Sequence, residues 1–308
     1  MHLSAHNWMH PEPLENTLAR LSRHGYQSIQ LSGEPQKYES LSKTRNLLAQ
    51  HKIHCHGTVT LMFGRRRNLI SPDASIRAET IAYTKSLTQL AADLGGSIIC
   101  VIPSGVGIRT PLSSPEEEWS WAITGLREIC AFAAERNIRV AIEPQNRFET
   151  YFLNRIDQTL ALVEQIGSGN CGVAFDPFHL AIEEKNVYES LRACGSKLVD
   201  FHVSENNRQA PGDGYFDWGE FVRILCEIGY GGALTFECMP KPDRILHRIT
   251  NHMQGVEREQ PERLKEVSKE EIEAVKFHAA GVMTDGFFEG LVEKTANVLL
   301  PLINSRGD

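Results

Sequence analysis

Short apolar stretches of β character alternate along the chain with longer segments whose apolar residues recur three and four positions apart. That alternation marks repeated strand–helix units and a parallel sheet. Eight units can be counted. The expected strands are 2–8 (HLSAHNW), 28–32 (SIQLS), 54–61 (HCHGTVTL), 97–102 (SIICVI), 139–143 (RVAIE), 172–176 (GVAFD), 198–202 (LVDFH) and 233–237 (ALTFE). Helices are expected near 12–24, 39–51, 74–94, 115–136, 156–166, 186–194, 218–228 and 286–303. Two of them carry clear start signals. Ser114 and Pro115 ahead of Glu116, Glu117 and Glu118 supply a cap, a first-turn proline and acids at the positive end of a helix dipole. Asp217 plays the cap before WGEFVRILCEIGY, with Gly229 as the stop.

Eight such units in succession predict one α/β domain over 1–308, a (β/α)₈ TIM barrel, rather than a doubly wound open sheet. The open sheet would bring a glycine-rich phosphate turn after an early strand. No G-x-G-x-x-G or Walker motif is present, and SGVG at 104–107 is too short to serve. One stretch departs from the pattern. Residues 239–286 are mostly charged and separate the eighth strand from the last apolar helix, so a helical insertion at the C-terminal face is expected there, as a lid, an oligomer contact or a solvated excursion.

Composition narrows the function. Hydrophobic residues at 41% and charged residues at 23% are ordinary for a globular protein, and no apolar run approaches the ~20 residues of a membrane helix. The opening MHLSAHNWMHPEPLEN has neither a basic start nor an apolar core, so a cytoplasmic location is expected. Seven scattered cysteines without a C-x-x-C pair read as buried free thiols, not as a thiolate metal site. A net charge of −7 opposes tight binding to nucleic-acid phosphates and leaves a small molecule as the expected partner.

The chemistry concentrates at the ends of the last four strands: VAIE ends in Glu143, VAFD in Asp176, VDFH in His202 and LTFE in Glu237. Adjacent parallel strands lie ~4.8 Å apart and point the same way, so four successive strand ends one βα unit apart converge at the mouth of a barrel. A plainer reading has these carboxylates capping helices or pairing with Arg147 and Arg208. Three carboxylates and one imidazole without a thiolate suit one hard or borderline divalent ion, Mn²⁺ first, with Co²⁺, Mg²⁺ or Zn²⁺ as alternatives. Such an ion could polarise adjacent carbonyl and hydroxyl oxygens of a sugar, with a carboxylate on each face exchanging protons with the carbon between them.

The segments IEPQNRFETYFLN (142–154), DPFHLAIEE (176–184) and HVSENNRQAPGDGYFDW (202–218), closed by TFE at 235–237, carry a resemblance. They resemble the sugar phosphate isomerase/epimerase superfamily of xylose-isomerase-like barrels, most closely its ketose 3-epimerases of the tagatose/allulose and 5-keto-gluconate type. As an architecture the likeness covers 1–238. It implies that Glu143, Asp176, His202 and Glu237 bind Mn²⁺ or Co²⁺, and that Glu143 and Glu237 double as the acid/base pair inverting C3 of a ketose or keto-sugar acid. It also implies that Glu149 meets the terminal hydroxyls of the sugar and that His179 and Arg208 grip its C1–C2 oxygens. A homodimer or homotetramer is the expected assembly. The sequence departs from the pattern at Gln145 and Pro177, where leucine and threonine are usual, and in the length of the insertion.

An isomerase, a dehydratase, or a lyase acting on a 3-keto-glycoside would need the same groups. An apurinic endonuclease shares the barrel but calls for more histidine ligands and a basic face, and a non-catalytic barrel would have lost ligands that are all present here. Seven further residues carry polar chemistry. Arg65, Arg66 and Arg67 could reach an acidic or phosphorylated sugar or form a solvated loop, Glu34 is a candidate sugar contact, and His6, His54 and His56 could line the barrel mouth or simply be packed.

Overall fold

A computed structural model of the chain describes residues 1–38, 40–63, 65–239, 256–257 and 282–305. The strands are β1 (His2–Ala5), β2 (Ser28–Ser32), β3 (His54–Val59), β4 (Ile98–Val101), β5 (Arg139–Ile142), β6 (Cys171–Phe175), β7 (Leu198–Val203) and β8 (Ala233–Phe236). The helices between them are α1 (Leu14–Arg23), α2 (Leu41–His51), α3 (Ala74–Asp93), α4 (Pro115–Ala134), α5 (Ile156–Ile166), α6 (Pro177–Glu183), α7 (Val187–Cys194) and α8 (Trp218–Glu227). Every neighbouring pair in the sheet is parallel, in the order β1-β8-β7-β6-β5-β4-β3-β2. The gap between β1 and β2 is bridged where Gln27 N donates to Leu3 O at 3.0 Å and where His6 pairs with Gln30. The expected (β/α)₈ barrel is therefore the observed one.

The alternation that defines a strand decides which side chains reach the barrel interior. On β7, Asp200 and His202 lie on one face while Phe201 faces outward, stacked on Phe175 of β6 at 5.7 Å and edge-on to Phe221 of α8. Phe175, Phe201 and Phe221 are fully buried, and each such side chain contributes roughly 1.5–3 kcal/mol relative to exposure. Helix starts follow the expected local chemistry. The Ser114 hydroxyl and Glu117 form a capping box, and the Asp217 carboxylate accepts from Glu220 N at 3.0 Å.

The structure differs from the expectation in three places. β1 ends at Ala5 and β3 at Val59, so the first and third strands are shorter than their apolar runs. An unexpected seven-residue helix, α6, begins directly after Asp176, whose carboxylate accepts from Phe178 N at 2.9 Å as its cap. The insertion expected over 239–286 falls largely outside the described residues. Its described parts are Met239, the antiparallel two-residue strands β9 (Val256–Glu257) and β10 (Val282–Met283), and the start of α9 (Asp285–Asn304).

Candidate active site

Parallel strands bring their C-terminal ends to one rim, and there the four expected groups meet. One ligating atom from each of Glu143, Asp176, His202 and Glu237 lies within 4.8 Å of the others, and all four residues are buried. His202 Nδ1 is 3.1 Å from Glu237 Oε2 and 3.5 Å from Glu143 Oε1. The ring's other nitrogen, Nε2, faces Asp200 Oδ2 at 3.3 Å. Arg208 donates through Nη1 to Asp176 Oδ2 at 2.5 Å and lies 3.2 Å from Glu237 Oε2. Its backbone sits in the left-handed region at φ 63°, unusual for a buried non-glycine residue, and is fixed there by Arg208 N donating to Glu205 O and Met239 N donating to Arg208 O.

The electrostatics follow from this crowding. Burial alone would raise the Glu237 carboxyl, yet Arg208 and His202 hold it well below the usual range. Burial dominates at Asp176 and, even with Arg208 in contact, pushes its carboxyl up to about 7. His202 is raised well above an ordinary histidine in spite of burial, because Glu143, Glu237 and Asp200 surround it. The knot thus calls for positive charge at its centre. His202 Nδ1 and Glu237 Oε2 are both buried without a hydrogen-bond partner, although they face each other. A cation between them would satisfy both, and three carboxylates plus one imidazole form the donor set for a hard or borderline divalent ion.

A pocket opens above this cluster. Trp8, Met62, Phe63 and Val106 form an apolar wall, and Glu143, Gln145, His179, Arg208 and Glu237 form a polar one. That combination suits a small polyhydroxylated molecule, which offers C–H faces as well as hydroxyls. Asn146 N donates to His179 Nδ1 at 3.2 Å, and the Asn146 side chain donates to Glu149 Oε1 at 3.1 Å. Glu149 therefore stands beside His179 rather than on the pocket wall, and burial raises its carboxyl to about 7.

Other expected residues fall elsewhere. His6 is buried at the mouth with its ring 4.7 Å from that of His202, and neither of its ring nitrogens has a hydrogen-bond partner among the described residues. His54 and His56 are at the opposite end, because they begin β3 rather than end it. Their rings lie 5.0 and 5.7 Å from that of His2 at the barrel floor. Glu34 and Arg67 pair with each other at 2.5 Å, and Arg67 also stacks over Tyr83. Arg147 pairs with Glu183 of α6 at 2.7 Å, away from the strand-end carboxylates. Asp176 fills two of the roles weighed for it at once: it caps a helix and pairs with Arg208 while standing in the cluster.

Sequence reasoning overlooked two groups. Asp200 stands two positions before His202 and so shares its face, a spacing that could have exposed it. Cys100 at the end of β4 points its thiol at Glu143 Oε2, 3.4 Å away.

Comparison with known proteins decides the family. The family described as "Xylose isomerase-like TIM barrel" matches residues 18–271. The chain belongs to it. Among xylose isomerase-like relatives, the D-psicose 3-epimerase of Ruminiclostridium cellulolyticum is 29% identical over 230 residues, 71% of this chain and 76% of that one. The L-ribulose 3-epimerase of a Methylomonas species is 27% identical over 221 residues, again 71% and 76%. A crystal structure of the D-allulose 3-epimerase of Methylomonas sp. in complex with D-allulose superimposes with a TM-score of 0.79 at 21% identity, covering 98% of this chain and 96% of that one. The curated relatives are thus sugar epimerases, enzymes of the isomerase class. No described helix is long and apolar enough to cross a membrane.

Proposed function

We propose that the chain is a metal-dependent sugar epimerase that inverts C3 of a ketose or keto-sugar acid by removing and returning the proton on that carbon. The observation that carries this reading is the convergence of Glu143, Asp176, His202 and Glu237 within 4.8 Å at the floor of a half-apolar, half-polar pocket. Those four residues would hold one divalent ion, Mn²⁺ by preference. When bound, the ion supplies a Lewis acid that withdraws electron density from neighbouring substrate oxygens and so acidifies the C–H between them.

The remaining work falls to the chain. Glu143 and Glu237 reach the pocket from β5 and β8, non-adjacent strands, so a sugar held between them exposes one side of C3 to each. Epimerisation needs that arrangement: one carboxylate takes the proton, the intervening enediolate is planar, and the other carboxyl returns a proton to the opposite face. Glu237 is kept ionised by Arg208 and His202 and is suited to the accepting role. His179 and Arg208 line the same pocket and hold hydroxyl and carbonyl oxygens near C1 and C2, while Trp8, Met62, Phe63 and Val106 exclude water from the exposed carbanion. The assembly in this reading is a homodimer or homotetramer.

The test is incubation of Mn²⁺-loaded protein with a panel of ketoses and keto-sugar acids in D₂O, followed by NMR of the recovered sugars. The expected result is deuterium at C3 together with the C3 epimer. A carbonyl moved between C1 and C2, or a product lighter by one water, would replace the epimerase with an isomerase or a dehydratase on the same groups.

A further inference from the structure

A histidine can ligate a metal through either ring nitrogen, and the choice is set by what the other nitrogen touches. In this barrel that contact is Asp200. Its carboxylate is fully buried in the barrel interior and fixed from several sides. Gln30 Nε2 of β2 donates to Asp200 Oδ2 at 3.0 Å from across the lumen and also to Thr58 O at 3.3 Å. Phe201 N donates to Asp200 Oδ1 at 3.0 Å, and Thr235 Oγ1 lies 3.5 Å from the same oxygen. Both carboxylate oxygens are therefore already acceptors. A nitrogen facing Oδ2 at 3.3 Å joins that set as an N–H donor, which assigns the proton of His202 to Nε2.

The consequence appears on the other side of the ring. With Nε2 protonated, Nδ1 carries the lone pair, and Nδ1 is the atom that faces Glu237 Oε2 and Glu143 Oε1. We propose that Asp200, anchored by Gln30, is the positioning residue that locks His202 as the Nε2–H tautomer and makes Nδ1 its metal-ligating atom. The inference rests on the metal reading above and adds to it a named atom and the residues that select it. Asp200 does not line the pocket, and His202 is the member of the four-residue cluster that it contacts, so it acts through the imidazole. Asn at this position would keep the size of the side chain but could present an amide N–H to Nε2. That favours the opposite tautomer and places a proton where the ion should bind.

The experiment compares wild type, Asp200→Asn and Gln30→Met. Titration with Mn²⁺ followed by calorimetry should show Kd rising by about 10–100-fold in Asp200→Asn, the range found when the outer partner of a ligating histidine is removed. Gln30→Met should show a smaller rise, with the circular dichroism spectrum kept. The second readout is ¹⁵N NMR of histidine-labelled wild type loaded with diamagnetic Zn²⁺, in which the His202 signals should report a metal on Nδ1 and a proton on Nε2. A metal on Nε2 in the wild type overturns the proposal even if neither variant folds. Equal Mn²⁺ affinity in wild type and Asp200→Asn overturns it as well while leaving the metal site standing. A wild type that binds neither Mn²⁺ nor Zn²⁺ overturns the metal reading itself and the positioning role with it.

Discussion

The two ends of the barrel both gather histidines, yet they do opposite things with them. At the mouth, His202 is surrounded by Glu143, Glu237 and Asp200 and is raised well above an ordinary histidine in spite of burial. At the floor, His2, His54 and His56 face one another. Burial lowers all three, opposed at His56 by the Asp200 carboxylate and aided at His2 and His56 by neighbouring imidazoles, and His2 falls to about 4. Only one end therefore collects negative charge that a cation can answer. Residue type did not distinguish them; the carboxylates that parallel strands deliver to their C-terminal ends did.

The sharpest way to break this contrast is one substitution at each end. Glu237→Gln should cut turnover of the preferred ketose by about 10²–10⁴-fold, the usual worth of a positioned acid or base, whereas His54→Gln at the floor should leave it within twofold, as steady-state kinetics would read. A comparable loss in both would dissolve the distinction.

Next in size is Arg208→Met. Removing the guanidinium takes from buried Asp176 its arginine partner and leaves Glu237 with His202 alone, so the metal-free protein should lose about 3–5 kcal/mol in urea unfolding. Saturating Mn²⁺ should restore a large part of that loss, because the ion replaces the missing positive charge. Equal destabilisation with and without metal would mean that the cluster does not take the ion.

The floor makes a weaker, pH-dependent prediction. His2 has a folded-state pKa near 4 against 6.5 unfolded, so the unfolded chain binds the proton more readily and stability falls as pH drops from about 6.5 towards 4. Thermal melts should show this acid loss shrinking in His2→Gln. The shift in melting temperature should be modest, since His2 is partly solvated. The smallest effect is expected for Arg147→Gln. Its pair with Glu183 is largely exposed on the arginine side, so melting and turnover should both stay close to wild type.

These contrasts also show what the sequence could reveal. Strand–helix alternation and four strand-terminal acidic or imidazole groups were legible because both are local: a short apolar run ending in Glu143, Asp176, His202 or Glu237 is visible without knowing its neighbours. The end of the barrel at which His54 and His56 lie was misjudged because period-two alternation reports the face of a strand and is silent on distance from its C-terminal end. Helix α6 escaped notice because seven residues hold too few turns for a helical period, although Asp176 and Pro177 are a cap and a first-turn proline. The role of Asp200 was hidden for another reason. Its anchor, Gln30, is 170 residues away in the chain and meets it only across the closed lumen.

All four convergent groups belong to β5–β8 and their ends, and the first four strands supply none of them. On a ribosome, Glu143 therefore emerges well before Glu237, by roughly 5–20 s at ordinary elongation rates. For most of that interval the nascent chain holds first Glu143 and then Asp176 without Arg208, and the cluster stays incomplete until Glu237 itself is made. The chain's own charge thus argues against early closure, and the barrel is biased to seal only once its eighth strand has been made.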